Sequence, residues 1–203
     1  MITKNQLKIL ELLKKDFFRE WTFSEIKEGL KETSNSKLQK AIKDFEEEKL
    51  VLVERKKGHN SIKLNLNSSV LLNYFLLIDS EKFGEKILSI LNEVRAEILE
   101  ETILFSIVVF GSSSKGKLRK DSDLDLALIF ENKRAIDKII PKINSIKRRF
   151  VIKIDEHYFS EKEFLNMLKS KKENLGKEII NNFGAFYGGE LFYNLIFENG
   201  KFS

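Results

Sequence analysis

The chain contains no cysteine, one proline, two histidines and one tryptophan. Without cysteine there is no disulfide framework, no thiolate zinc site and no cysteine nucleophile. The two histidines, His59 and His157, leave little for a His-rich metal cluster or a His-based triad. No apolar run approaches the roughly 18 residues that a membrane span requires. The opening residues MITKNQLK lack the apolar core of a signal segment. The expectation is a cytoplasmic protein with no membrane partner. Tandem repeats and low-complexity tracts are also missing.

What is present is a charge-rich chain of 203 residues, 42% apolar and 33% charged, with a net charge of +5. That length accommodates one large or two small domains. The positive charge sits at the front, where residues 1–66 hold 15 Lys and Arg against 11 Asp and Glu, a net of +4. Patterning divides the chain into residues 1–66, an apolar connecting segment at 67–79, and residues 80–203. In the connector, Leu71, Leu72, Phe75, Leu76, Leu77 and Ile78 are too apolar for a free linker. They predict packing against the neighbouring domain or against a partner subunit, a homodimer included.

In the front segment Thr3 caps a helix carrying Leu7, Ile9, Leu10, Leu12 and Leu13 at helical spacing. Ser24 is expected to cap a second helix over 25–31. Ser34 or Ser36 opens a third, with Leu38, Ala41, Ile42 and Phe45 on one stripe. Two strand-like runs at 50–54 and 61–66 flank a turn bearing Arg55, Lys56 and Lys57. Three helices and a hairpin resemble a winged helix-turn-helix DNA-binding domain. The resemblance implies that Lys37, Gln39, Lys40 and Lys43, which avoid the apolar stripe, meet the major groove and phosphates of double-stranded DNA. It places Lys56 and Lys57 at the wing tip, on the DNA backbone. Winged helices also serve as dimerisation or protein-contact modules, and Glu46, Glu47 and Glu48 make the end of the third helix acidic. Both readings stand.

The most informative stretch is residues 107–130, IVVFGSSSKGKLRKDSDLDLALIF. It reads as a strand, a small-residue turn opening a helical turn, and a second strand. Asp123 and Asp125 are two apart on that second strand, so both carboxylates share one face of the sheet. Paired carboxylates supply the hard oxygens that magnesium prefers. Gly111-Ser112 follows an apolar strand directly, which puts backbone N–H groups and a hydroxyl where a phosphate is favoured. The expected ligand is a metal-bound nucleotide. A helix over 80–101, capped by Ser80, is predicted to cover the back of these strands. Beyond them the pattern predicts a helix over 132–149, kinked or broken at Pro141, and a strand over 150–158. Helices follow at 161–169, capped by Ser160, and at 174–182. A turn or short extended segment at 183–189 precedes a last helix at 190–197, and the tail's aromatics are expected in the core or an interface.

The ordered set Gly111-Ser112, Gly116 and Ser122-Asp123-Leu124-Asp125-Leu126 resembles the signature of the polymerase-beta-type nucleotidyltransferases, especially their minimal forms. The resemblance implies an α/β (α+β) fold in which a nucleotidyltransferase-type mixed sheet with flanking helices follows the winged helix. It implies magnesium in a two-metal arrangement and a nucleoside triphosphate, ATP foremost, as substrate. The implied reaction moves a nucleoside monophosphate to an acceptor hydroxyl on a protein, nucleic acid or small molecule. Gly111, Ser112 and Lys115 would bind the triphosphate; Asp123 and Asp125 would hold metal, with a third carboxylate on a neighbouring strand. Asp155 is the candidate for that third acid. Glu156 faces the opposite way in a regular strand, and a bulge would exchange the two. A solvated basic loop is the competing reading of Lys115, Lys117, Arg119 and Lys120. Two other functions suit the same residues: a nucleotide-sensing DNA-binding regulator without turnover, and an antitoxin-type nucleotidyltransferase acting on a helical HEPN-like partner. No fingers or thumb of a template polymerase are recognisable, so a processive polymerase is not expected.

Overall fold

Three helices open on the same device, a Ser or Thr whose hydroxyl accepts from the third helical N–H while a Gln or Glu there reaches back to the cap. The computed structural model describes residues 2–31, 34–56, 59–115 and 123–200. It divides into two compact units, Met1–Ile78 and Asp79–Ser203.

In the first unit Thr3 and Gln6 start α1 (Lys4–Leu13), and Thr22 and Glu25 start α2 (Phe23–Leu30). Thr22 rather than Ser24 is the cap, because only Thr22 has an acid three residues on that reaches back to the cap's own N–H, at 2.7 Å. Just before α2, Trp21–Thr22 forms the short strand β1. Ser34 caps α3 (Asn35–Glu47), which buries Leu38, Ala41, Ile42 and Phe45. β2 (Val51–Lys56) pairs antiparallel with β3 (His59–Leu64), and β1 lies on the other side of β3. The apolar connector is a helix, α4 (Ser69–Ser80). Its Leu71, Phe75 and Ile78 are buried, and Phe75 meets Phe17 edge-on at 5.8 Å. Ser80 therefore ends one helix and does not begin the next. Gly84 caps α5 (Glu85–Leu99) instead.

The second unit is built on a mixed four-stranded sheet of β4 (Phe105–Phe110), β5 (Leu124–Phe130), β6 (Ile154–Ser160) and β7 (Phe183–Tyr187), in the order β6-β5-β4-β7. β5 runs parallel to β6 and antiparallel to β4, and β7 runs antiparallel to β4. Ile87, Leu91, Val94 and Ile98 of α5 form one core with Ile136, Ile139, Ile143 and Ile146 of α6 (Lys133–Lys147). The same core takes Phe105, Ile107 and Val109 of β4 and Leu124, Leu126 and Leu128 of β5. Residues of the other parity, among them Val108, Ala127 and Ile129, are buried on the face where α7 (Glu161–Lys169) and α9 (Gly189–Gly200) pack. The short α8 (Leu175–Asn181) precedes β7.

One further expectation is corrected here, the start of β6, and two open ones are narrowed. α6 runs through Pro141 without a break, its apolar stripe of four isoleucines keeping it on the core. β6 begins at Ile154, not at 150, and Val151 is fully exposed in the connection from α6. The segment after α8 joins the sheet as β7, and Gly188 turns the chain out of it at φ 59°. A Cβ on Gly188 would stand 2.0 Å from the Phe105 carbonyl oxygen, so no other residue fits. The tail's aromatics are packed: Phe183 lies 5.0 Å from Phe192 and 5.7 Å from Tyr193. Among the described residues no helix is long and apolar enough to cross a membrane.

Candidate active site

Strand register decides which acids meet. In the parallel pair, Asp125 of β5 sits directly opposite Asp155 of β6, so their side chains share a face. Asp123, two residues before Asp125, has the same parity. Glu156 is opposite Leu126 and faces the α5–α6 core, where Lys147 donates to it. β5 and β6 pair without a register shift from Leu124 to Phe130, so there is no bulge to exchange Asp155 with Glu156.

The turn that follows β4 is fastened to these acids. Gly111 enters a 3-10 turn (Gly111–Lys115) at φ 62°, and a Cβ there would lie 2.6 Å from Asp125 Oδ2. Glycine is thus needed twice, for its backbone angle and for the room it leaves the carboxylate. The buried Ser113 hydroxyl donates to the Asp123 carbonyl oxygen at 2.7 Å. The buried Ser114 hydroxyl and the Asn182 amide both donate to the Gly111 carbonyl oxygen, each at 2.8 Å. Of the three serines only Ser112 is exposed. The backbone of Lys115 closes the turn. The motif residues Gly116 and Ser122 lie outside the described residues, as do Lys117, Arg119, Lys120 and the side chain of Lys115.

Burial raises the Asp125 carboxyl above the usual Asp range, with Asp155 and then Asp123 adding to the rise. Like charges are therefore gathered beside a partly desolvated oxygen, a setting that favours a cation. Two further side chains lie at this face, Lys153 just before β6 and His157 within it. Lys153 donates a charge-assisted hydrogen bond to Asp123 Oδ2, and its ammonium is held above the usual lysine value chiefly by that bond. His157 Nε2 stands 3.6 Å from Asp155 Oδ2, with its ring 5.7 Å from that of Phe110. Among the described residues no group of three His, Asp or Glu side chains is already arranged to hold a metal ion. The donor set suits a hard divalent ion, being all carboxylate oxygen. What it lacks is a free Asp123, since that carboxylate is engaged by Lys153.

Sequence reasoning missed Lys153 and Asn182. Lys153 was legible, since 153 and 155 alternate with the acid face. Asn182 was not, because its contact with Gly111 spans 71 residues.

In the first unit Lys37, Gln39, Lys40 and Lys43 are exposed on α3, opposite its buried stripe. Lys43 pairs with Glu47 at 3.6 Å, and Arg55 of β2 pairs with Glu46 at 2.8 Å. Lys57 and the side chain of Lys56 lie outside the described residues. A cavity of about 520 Å³ lies between α1 and α3, lined in part by Lys8, Lys37, Lys40 and Asp44. It belongs to the first unit and holds none of the clustered acids.

Residues 89–180 match the family model of the nucleotidyltransferase domain. The matched stretch runs from within α5 to α8 and contains Gly111, Ser112, Asp123, Asp125 and Asp155. The match supports a transferase of phosphorus-containing groups. No curated protein and no solved structure matches the chain.

Proposed function

We propose that the second unit is a metal-dependent nucleotidyltransferase that moves a nucleoside monophosphate from a nucleoside triphosphate, ATP foremost, to an acceptor hydroxyl. The observation that carries the reading is the register of Asp125 on Asp155, with Asp123 on the same face and Gly111 backed against Asp125. Asp123, Asp125 and Asp155 would hold magnesium. The ion supplies neutralisation of the triphosphate's charge and of the leaving pyrophosphate. The exposed Ser112 hydroxyl and the N–H groups of the Gly111 turn bind phosphate oxygens, with Lys115 as a further contact. Asp155, the most exposed of the three acids, takes the proton of the acceptor hydroxyl as its oxygen bonds to the α-phosphorus. The bond from that phosphorus to the oxygen it shares with the β-phosphorus breaks in the same displacement, and that oxygen leaves as a terminal oxygen of pyrophosphate.

The first unit is proposed to be a winged helix that contacts double-stranded DNA through Lys37, Gln39 and Lys40, with Lys56 and Lys57 on the wing. Lys43 contributes less, since Glu47 already partners it. The order of three helices and an antiparallel hairpin supports this reading.

Incubation with ATP labelled at the α-phosphate and magnesium tests the enzyme. The wild type, with copurifying partners present, transfers label, and an Asp123→Asn/Asp125→Asn variant does not. Equal labelling of both rejects the proposal. A nucleotide-sensing regulator without turnover is the second reading, favoured by the engagement of Asp123 with Lys153. It requires ATP to change DNA retention in a gel-shift assay while no label is transferred.

A further inference from the structure

One cation is already built into the acid cluster. Lys153 lies immediately before β6, where its carbonyl oxygen accepts from the Leu124 N–H at 2.8 Å. That bond ties the backbone beside Asp123 to the backbone two residues before Asp155. Ser113 fixes the other side by holding the Asp123 carbonyl oxygen. Both ends of the Lys153–Asp123 ion pair are therefore anchored at the main chain, and what remains free is the lysine stem. The ammonium pairs with Asp123 and also feels Asp155 and Asp125. Its side chain is 72% exposed, so it leaves the cluster without disturbing any packing. A lysine ammonium is a compact point charge on a flexible four-carbon stem, suited to changing partners.

A divalent ion arriving alone has to expel this ammonium into water and also surrender part of its own hydration shell, which magnesium does reluctantly. An ion arriving with a triphosphate brings the ammonium a new anionic partner within reach of the same stem. We propose that Lys153 is an exchangeable counter-cation of the site, holding Asp123 until a metal–nucleotide complex displaces it, and so making metal binding depend on nucleotide. The inference rests on the reading of Asp123, Asp125 and Asp155 as the metal ligands. It gives Lys153 a positioning role: it acts on the metal through Asp123.

The test is manganese binding to the full chain, read from the electron paramagnetic resonance signal of the free ion against a protein-free sample at the same analogue concentration, with and without α,β-methylene-ATP. Wild type binds manganese weakly alone, and the analogue strengthens binding about tenfold or more, a factor equal to roughly 1.4 kcal/mol. Lys153→Met keeps the stem and removes the charge. It binds manganese alone several-fold more tightly than wild type, and the analogue's enhancement shrinks. Lys153→Arg retains the charge and restores the weak binding. The inference is overturned if Lys153→Met binds manganese no more tightly than wild type while Asp123→Asn still weakens binding. If neither wild type nor Lys153→Met binds manganese even with the analogue, the metal-site reading itself fails and the inference goes with it.

Discussion

At Gly111 two constraints meet on one residue. Its φ of 62° is open to glycine, and the space where a side chain would begin is taken by Asp125 Oδ2 at 2.6 Å. Gly111→Ala should destabilise the second unit by about 1–3 kcal/mol through backbone strain. It should also lower label transfer by about tenfold or more as the Asp125 carboxylate shifts, which thermal melts and the labelling assay would separate. Asp125 carries a second prediction. Its carboxyl is raised by burial and by Asp155 and Asp123, so its ionised form opposes the metal-free fold. Folding then loses stability as pH rises above the unfolded value of 3.8. Asp125→Asn should therefore raise the melting temperature at neutral pH without metal while abolishing transfer. A lower melting temperature would mean that the carboxylate is structural.

At the level of elements, the helix starts respond to acid. Glu25 is held down to about 2 by the Thr22 N–H and hydroxyl, with Arg19 adding to the shift. A depressed carboxyl contributes stability above its unfolded value, 4.5, and that contribution is lost as pH falls toward 2. Glu25→Gln keeps the capping geometry, as Gln6 shows in α1. The variant should melt below wild type at pH 7, and the gap should close by about pH 2. A gap that persists in acid would place the effect in the hydrogen bonds and not in the charge. The strands behave differently, because their pairing partners are remote in sequence. β7 was readable only as an extended segment, since nothing local said that it lies beside β4. The apolar residues Phe150, Val151 and Ile152 imitate a strand, so the expected start of β6 lies four residues ahead of the observed one. Its alternation survived that error, since 153, 155 and 157 keep one parity wherever the strand begins.

At the scale of the whole molecule the division into two units lets the two proposed functions be tested separately. Lys37→Glu/Lys40→Glu should abolish DNA retention at low salt and leave label transfer within about twofold, while Asp123→Asn/Asp125→Asn should do the reverse. Loss of both functions in either variant would show that the units do not work independently. By itself the sequence determined the helix starts at Thr3 and Ser160 and the two-residue spacing of Asp123 and Asp125. Each of these depends on spacings of two to four residues, which short-range geometry translates directly. The tertiary structure decided what needs distant partners. Register set Asp155 and not Glu156 opposite Asp125, Asn182 came round to hold Gly111, and Lys153 was brought onto Asp123. Strand pairing and long side-chain contacts are fixed by burial of the whole core, and no local window of residues contains that information.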